Sequence, residues 1–146
     1  VSRIITNCPG CSLVFRQNYP KALGQDWQIE VKLVIEVLDK TLQKKHPDNQ
    51  KAAQKTTYHD PCHSGRQQGA YKLPRKILQK LGFEIVEMEA NQKDSFCCGA
   101  GGGVGSNNSD LSQRIGVDRV RQAQVTEAKI LTTNCPMCHY QIRGLK

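Results

Sequence analysis

The stretch "ILTTNCPMCHYQIR" (Ile130–Arg143) decides the fold. Together with Lys129, its first residues are apolar or β-branched and read as a short strand, Lys129–Asn134. Pro136 then suits the first turn of a helix, where a missing N–H costs nothing. Cys135 falls at the cap of that helix. Backbone N–H groups and the helix dipole favour negative charge there, which lowers a thiol's pKa. A strand thus hands the chain to a helix through a cysteine. The same unit opens the sequence: "RIITNCPGCSLVFR" (Arg3–Arg16) aligns on it without a gap and shares Thr-Asn-Cys-Pro-x-Cys and the closing Arg. Two matching ends predict the tail of one unit followed by a whole second unit. The chain therefore reads as the C-terminal portion of a duplicated protein, and its start at Val1 rather than Met agrees with that.

Between the ends, strand and helix patterns alternate. "TTYHD" (Thr56–Asp60) and "FEIVEME" (Phe83–Glu89) read as strands. "WQIEVKLVIEVLDKTLQKK" alternates at Ile29, Val31, Leu33, Ile35 and Val37, then continues helically through Val34, Leu38 and Leu42. It resolves as a strand near Gln28–Val31 and a helix to about Lys45. "YKLPRKILQKLG" places Leu73, Ile77, Leu78 and Leu81 at helical spacing and stops at Gly82. "SDLSQRIGVDRVRQAQVTEA" does the same with Leu111, Ile115, Val120 and Ala123. "KKHPDNQKAAQK", residues 44–55, is polar and reads as an exposed loop.

This alternation predicts an α/β fold, a mostly parallel sheet flanked by helices. The expected organisation is residues 1–20 as the tail of a preceding unit, 21–55 as a helix and polar linker, and 56–146 as a complete C-terminal unit. In such sheets, sites form at the carboxyl ends of the strands. Each cysteine motif follows a strand, so Cys62, Cys97, Cys98, Cys135 and Cys138 are expected on one rim.

A length of 146 residues suits one domain with a sizeable core. No basic leader with a long apolar run opens the chain, and "VKLVIEVL" is too short and too charged to span a membrane. The chain is expected to be soluble and cytoplasmic, or to sit on the cytoplasmic face of a membrane complex. The net charge is +8, but aromatics make up only 5% and basic residues are dispersed from Arg3 to Lys146. A stacking surface with a basic stripe is missing, so no nucleic-acid partner is expected. The charge suits a solvated basic surface or the compensation of deprotonated, ligating thiols. Seven cysteines, an odd number without a leader, point to metal or redox chemistry rather than disulfides.

"SFCCGAGGGVGSNN" (Ser95–Asn108) sharpens that reading. Adjacent Cys97 and Cys98 can reach different metal atoms of one polynuclear cluster, whereas a single zinc has little use for such a pair. The glycines from Gly99 to Gly103 permit positive φ and close approach, and can aim N–H groups at an anionic, thiolate-rich group. They match neither common glycine-rich nucleotide motif. In "HDPCHSGR", Asp60 can cap and Pro61 can start a helix that carries Cys62 in its first turn. Three other readings compete: cysteines as buried hydrophobes, zinc held by CxxC pairs, and a thioredoxin-like dithiol. The two CxxC motifs lie 127 residues apart, unlike compact zinc ribbons. A dithiol leaves Cys97 and Cys98 unexplained. His59, His63 and His139 flank the motifs and can hydrogen-bond a cluster or serve ordinary packing. His46 lies in the polar loop, and for Arg66 and Arg143 a solvated surface is the default. No catalytic side chain is assigned.

The full pattern is Cys62, 34 residues, Cys97-Cys98, 36 residues, Cys135-x-x-Cys138. It resembles the cysteine-rich CCG domain of heterodisulfide reductase, most closely the D-subunit type, which is found also in glycolate and lactate oxidase iron–sulfur subunits. "YHDPCHSGR", "EMEANQKDSFCCGAGGGVG" and "TTNCPMCHYQI" carry the resemblance over about Thr56–Ile142. Val1–Phe15 is similar to the last CxxC of a preceding copy.

The resemblance implies paired domains, often after a ferredoxin-like module, inside an electron-transfer oxidoreductase. That enzyme would work in disulfide/thiol, hydroxy-acid or quinone-linked chemistry. The resemblance further implies a [4Fe–4S] cluster, noncubane in the heterodisulfide reductase catalytic subunit, held by Cys62, Cys97, Cys98, Cys135 and Cys138. Cys8 and Cys11 would serve a second cluster completed by missing sequence. Five thiols exceed the four of an ordinary cluster. Implied partners are other redox subunits, a ferredoxin-like module of the same protein and a membrane quinone/cytochrome subunit; the isolated chain is expected to be inactive. Some family members place zinc in one copy. The competing reading is therefore a zinc-stabilised structural or interaction module without redox activity.

Overall fold

Short parallel strands, each leading toward a helix, build two sheets in the computed structural model, which describes residues 1–44 and 54–145. In the first, β1 (Arg3–Thr6) runs parallel to β2 (Glu30–Leu33), with Arg3 opposite Glu30 and Thr6 opposite Leu33. In the second, β3 (Gln54–Tyr58) lies between β4 (Phe83–Ile85) and β5 (Ile130–Thr132), both parallel to it. Parallel neighbours need a crossover, and helices supply it. The α/β class with parallel strands is as expected, but the strands divide between two sheets. The strand expected over Phe83–Glu89 stops at Ile85, and beyond it the Glu87 carboxylate is held by Arg75. β2 starts at Glu30, where the carboxylate pairs with Arg3 and Lys32.

The helices follow their sequence signals. α1 (Pro9–Leu13) begins at a Cys8 cap and continues through a wider turn, Val14–Asn18, into α2 (Tyr19–Leu23). Phe15, Tyr19 and Trp27 stack around that end of the molecule. α3 (Val34–Lys44) and α4 (Lys72–Lys80) share an apolar core of Leu33, Ile35 and Ile77, flanked by Leu42 and Leu73. Asp39 on α3 bridges Lys76 and Lys80 on α4. Gly82, at φ +84°, follows the end of α4 as expected. The polar loop predicted over residues 44–55, with His46, lies mostly outside the described residues.

α5 (Val104–Asn107) is a single turn that leads into α6 (Ser109–Val125), where the Asn108 side chain accepts from the Leu111 N–H. The buried face of α6 is Ser112, Gly116, Arg119 and Ala123. Of the apolar stripe read from Leu111, Ile115, Val120 and Ala123, Ala123 is buried but the other three are not, and Leu111 is 40% exposed. The reason is close packing of α6 against the Cys97-Cys98 loop. A Cβ on Gly99 would stand 2.4 Å from the Ser112 carbonyl oxygen, and one on Gly116 would stand 3.1 Å from the Cys98 carbonyl oxygen. Only small side chains permit that approach. α7 (Pro136–Arg143) closes the chain with Cys135 as its cap and Pro136 in its first turn.

Asp60 does not cap a helix. Both its oxygens accept from the Arg75 guanidinium at 2.8 Å, and Oδ2 also accepts from the Gln92 N–H. The side chain of Asp60 is 2% exposed, so solvent cannot supply those bonds. The chain after Pro61 forms hydrogen-bonded turns rather than a helix, with Ser64 and Gly65 N–H groups both donating to the Pro61 carbonyl.

Candidate metal centre

Five thiols from three parts of the chain meet at the carboxyl ends of β3 and β5. Cys62 stands in the turn after β3, Cys97 and Cys98 in the loop before α5, and Cys135 and Cys138 at the start of α7. Cys98, Cys135 and Cys138 pack as one buried group with Cys97, Ala100 and Ile142 against it. The pairs Cys62/Cys97, Cys97/Cys98, Cys98/Cys138 and Cys138/Cys135 are close enough to shift one another's ionisation. All seven cysteines carry free thiols.

Their surroundings divide the protons unevenly. Hydrogen bonds from Cys62 and then Cys98 hold the Cys97 thiol far down, at about 2, against the opposing effect of burial. The Gly99 N–H, 3.3 Å from the Cys97 sulfur, adds to that. Cys135 is lowered to about 6, first by Cys138 and then by the N–H groups at the start of α7. Cys62 is pushed up by Cys97 and by burial, and Cys138 by Cys135, Cys98 and burial. Cys98 is raised on balance: Cys138 lowers it, but Cys97 and burial outweigh that. Five negative sulfurs cannot share one locus without a cation, so the two lowered thiols, Cys97 and Cys135, stand apart, with the raised Cys98 and Cys138 between them. Metal binding would remove the remaining protons.

The glycine run cradles the pair only at its start. Gly99 N–H faces Cys97, and Ala100 N–H lowers Cys98. Gly101, Gly102 and Gly103 are exposed; Gly101 accepts from the Val104 N–H, and Gly103 forms the cap of α5.

Behind the thiols lie Arg119 and the Tyr58–Asn134 link, neither read from the sequence, and His59, which the sequence offered as a hydrogen-bonding candidate. Arg119 is fully buried. It donates to His59 Nδ1 at 2.9 Å, to the Ser95 hydroxyl at 3.0 Å, to the Ala90 carbonyl at 2.8 Å and to Gln122 at 2.7 Å. All four acceptors are neutral, and among the described residues no carboxylate forms an ion pair with it. His59 is 1% exposed, and among the described residues its Nε2 has no partner. A ring nitrogen of His59 and the sulfurs of Cys98 and Cys138 lie within 4.8 Å of one another. Burial, and then the Arg119 charge, lower His59 to about 4, so the ring is neutral. Tyr58 donates to Asn134 at 2.9 Å, and Asn134 donates to Ser64, which ties β3 to the Cys135 turn. An Arg at helical spacing among Ser112, Gly116 and Ala123 was the available sequence signal for Arg119.

Asp60 acts on Arg119 only at a distance; a buried cation without a bonded carboxylate is costly, as is a buried donor without an acceptor. Both would be satisfied by an anionic metal–thiolate group at these five sulfurs. On that chemistry, the residues fit an iron–sulfur cluster.

Cys8 and Cys11 stand beside this group. Gln68 joins the two parts by donating to the Pro9 and His63 carbonyls at 2.9 and 2.8 Å. Cys11 is exposed; it is raised first by Cys8 and also feels the charge of Cys135. His63 Nδ1 lies 3.4 Å from the Cys62 sulfur, while His139 is exposed on α7. Arg66 donates to the Ser95 carbonyl at 2.7 Å, and Arg143 is exposed. Half-buried Cys97 lines a cleft of about 370 Å³ with Arg66, Phe96 and Ile115. A larger apolar cleft of about 490 Å³ runs from Leu33 and Leu38 to Cys135 and His139. No described helix is long and apolar enough to cross a membrane.

The CCG family, described as a cysteine-rich domain, matches residues 56–143. The chain is 36% identical over 94% of its length to the D-subunit of the dihydromethanophenazine:CoB--CoM heterodisulfide reductase of Methanosarcina acetivorans, and covers 34% of that protein. It is 37% identical over 98% of its length to an uncharacterized iron-sulfur protein of Methanocaldococcus jannaschii, of which it covers 27%. It is 35% identical over 96% of its length to the B-subunit of the fumarate reductase (CoM/CoB) of Methanothermobacter marburgensis, of which it also covers 27%. The chain thus spans about a third or less of these relatives. It belongs to the CCG cysteine-rich domain family.

Proposed function

We propose that this member of the CCG family is an iron–sulfur electron-transfer part of a redox enzyme of the heterodisulfide reductase kind. In this reading Cys62, Cys97, Cys98, Cys135 and Cys138 hold one [4Fe–4S] cluster, and its noncubane form would make use of the fifth thiol. Residues 56–146 form the complete unit, and 21–55 form the link to a preceding one. Residues 1–20 end that preceding unit, whose own cluster would include Cys8 and Cys11. The single observation that carries the proposal is the meeting of Cys62, Cys97, Cys98, Cys135 and Cys138 in one connected set, with Cys98, Cys135 and Cys138 buried. The relatives' names, an iron-sulfur protein and redox subunits among them, support it.

Bound there, a cluster supplies one-electron chemistry. The chain's own residues do the rest. Gly99 and Ala100 N–H groups favour thiolate at Cys97 and Cys98. Burial of Cys98, Cys135 and Cys138 keeps water from the sulfurs. The Cys97 side faces an open cleft, where a thiol or disulfide substrate, or a donor protein, would approach. Hydroxy-acid and quinone-linked reactions use the same electron path. Other redox subunits, a ferredoxin-like module and a membrane quinone/cytochrome subunit are the partners proposed, at the cytoplasmic side.

His59, Cys98 and Cys138 are grouped tightly enough for a single zinc. That reading leaves Cys62, Cys97 and Cys135 without a purpose. Metal and acid-labile sulfide analysis on protein reconstituted without oxygen separates the two. About four iron and four sulfide per chain are expected, as in an ordinary [4Fe–4S] centre, with loss in Cys97→Ser. Stoichiometric zinc without sulfide would overturn the proposal.

A further inference from the structure

We infer that His59 is an N–H donor to the sulfur centre, locked in that role by buried Arg119, and that it is not a metal ligand. This rests on the iron–sulfur reading above and goes beyond it by fixing which nitrogen carries the proton.

Arg119 Nε can only donate, because a guanidinium has five N–H groups and no acceptor. Its partner, His59 Nδ1 at 2.9 Å, must therefore present a lone pair. The same guanidinium is pinned by Ala90, Gln122 and Ser95, so it is not free to rotate away. A neutral imidazole with a lone pair on Nδ1 carries its proton on Nε2. That nitrogen is buried and has no hydrogen-bond partner among the described residues. With Nδ1 taken, it is the nitrogen left to face the Cys98 and Cys138 sulfurs, which share a 4.8 Å neighbourhood with the ring. Binding a metal through Nε2 would require an imidazolate against a donated Arg bond. Donating Nε2–H to sulfur requires nothing new. The buried Arg119 cation then has its counter-charge across the imidazole, in the thiolate group. Arg119 is a positioning residue in this arrangement, acting on sulfur through His59.

A donor at sulfur stabilises the more negative, reduced state and so raises the reduction potential. The experiment is anaerobic reconstitution of the chain with iron and sulfide, metal analysis, and an EPR-monitored redox titration of wild type, His59→Ala and His59→Gln. His59→Ala is expected to keep iron and sulfide while shifting the reduction equilibrium toward the oxidised state by about tenfold, about 59 mV for one electron. His59→Gln, which retains an N–H donor, should recover part of that shift. Loss of iron in folded His59→Ala, or an unchanged potential, overturns the inference.

If His59→Ala does not fold, the His63→Gln chain labelled with 15N-histidine, with His59 intact, decides instead. A weak 15N coupling with an exchangeable proton supports the donor role. A strong coupling, as from metal-bound imidazole, overturns it. Wild type that takes up no iron and sulfide overturns the iron–sulfur reading itself, and the inference with it.

Discussion

The two CxxC regions share a sequence and a backbone but not an environment. Cys8 and Cys135 both follow a parallel strand, both cap a helix, and both precede a proline in its first turn. At Cys8 the local motif is self-sufficient: the sulfur accepts from the Cys11 N–H at 3.3 Å, and Cys11 is exposed. At Cys135 no such side-chain cap bond closes, but Cys138 and the N–H groups of Met137 and Cys138 hold its thiol down. Cys138 is 3% exposed and sits among Cys98, Cys135 and His59. The motif fixes where a thiol stands relative to its helix. Whether that thiol joins a connected thiol set depends on what other segments bring to it.

The largest expected effect tests that asymmetry directly. After anaerobic reconstitution of this chain, Cys138→Ser should lose nearly all iron, while Cys11→Ser should keep the wild-type amount. Iron and sulfide assays check both. Equal losses would break the comparison, because Cys11 would then be a ligand of the same centre.

Next in size is the support beneath the C-terminal set. Asp60, two residues before Cys62, is bonded on both oxygens to Arg75, which also holds Glu87. Burial opposes the charge on Arg75, but those two carboxylates outweigh it and raise its pKa. Arg75→Ala strands a carboxylate that is 2% exposed. The expected cost is about 3–5 kcal/mol, the usual penalty for breaking a buried pair from one side. Urea unfolding of the metal-free chain measures it. A cost below about 1 kcal/mol, the range of an exposed pair, would mean that water reaches Asp60.

A similar, slightly smaller loss is expected at Gly99. Its φ is +88°, and an added Cβ would meet the Ser112 carbonyl oxygen at 2.4 Å. That oxygen belongs to the backbone of α6 and cannot swing aside. Gly99→Ala should destabilise by about 2–3 kcal/mol, from overpacking together with a backbone that alanine resists. It should also reduce iron uptake by displacing the N–H that faces Cys97.

These sites show what the sequence could and could not carry. Strand–cysteine–proline–helix was legible because strand preference, proline and helix capping all act within a few residues. The adjacent cysteines and the glycine after them were legible as a close-packed thiol site for the same reason. The Asp60 role was not, since its partner Arg75 lies on α4, and the local option of capping looked equally good. Arg119 was hidden more deeply. A charged residue on a helix reads as solvent-facing by default, and of the apolar stripe read at Leu111, Ile115, Val120 and Ala123 only Ala123 lies on the buried face. Only the closeness of α6 to the Cys98 loop, which excludes large side chains there, turns Ser112, Gly116 and Arg119 inward. The split into two sheets likewise depends on which strands meet, and strand patterns alone do not encode that.

The smallest effect is the sharpest test of the contrast. Gly10 occupies in the first CxxC the place that Met137 holds in the second, and it lies inside α1. An added Cβ would find the Cys8 sulfur at 3.8 Å and the His63 ring at 3.9 Å, ordinary contact distances, with no left-handed backbone to maintain. Alanine in place of a helical glycine is favoured by about 0.5–1 kcal/mol, because less chain entropy is lost on folding. Gly10→Ala should therefore stabilise the chain slightly, by about 0.5 kcal/mol given the short helix, in the same urea experiment that registers Gly99→Ala as a loss. Opposite signs at the two glycines would show that close packing is demanded only where the five thiols meet. A loss at Gly10 as well would mean that α1 presses on His63 as tightly as α6 presses on Gly99. The first CxxC would then be part of the same packed centre rather than its neighbour.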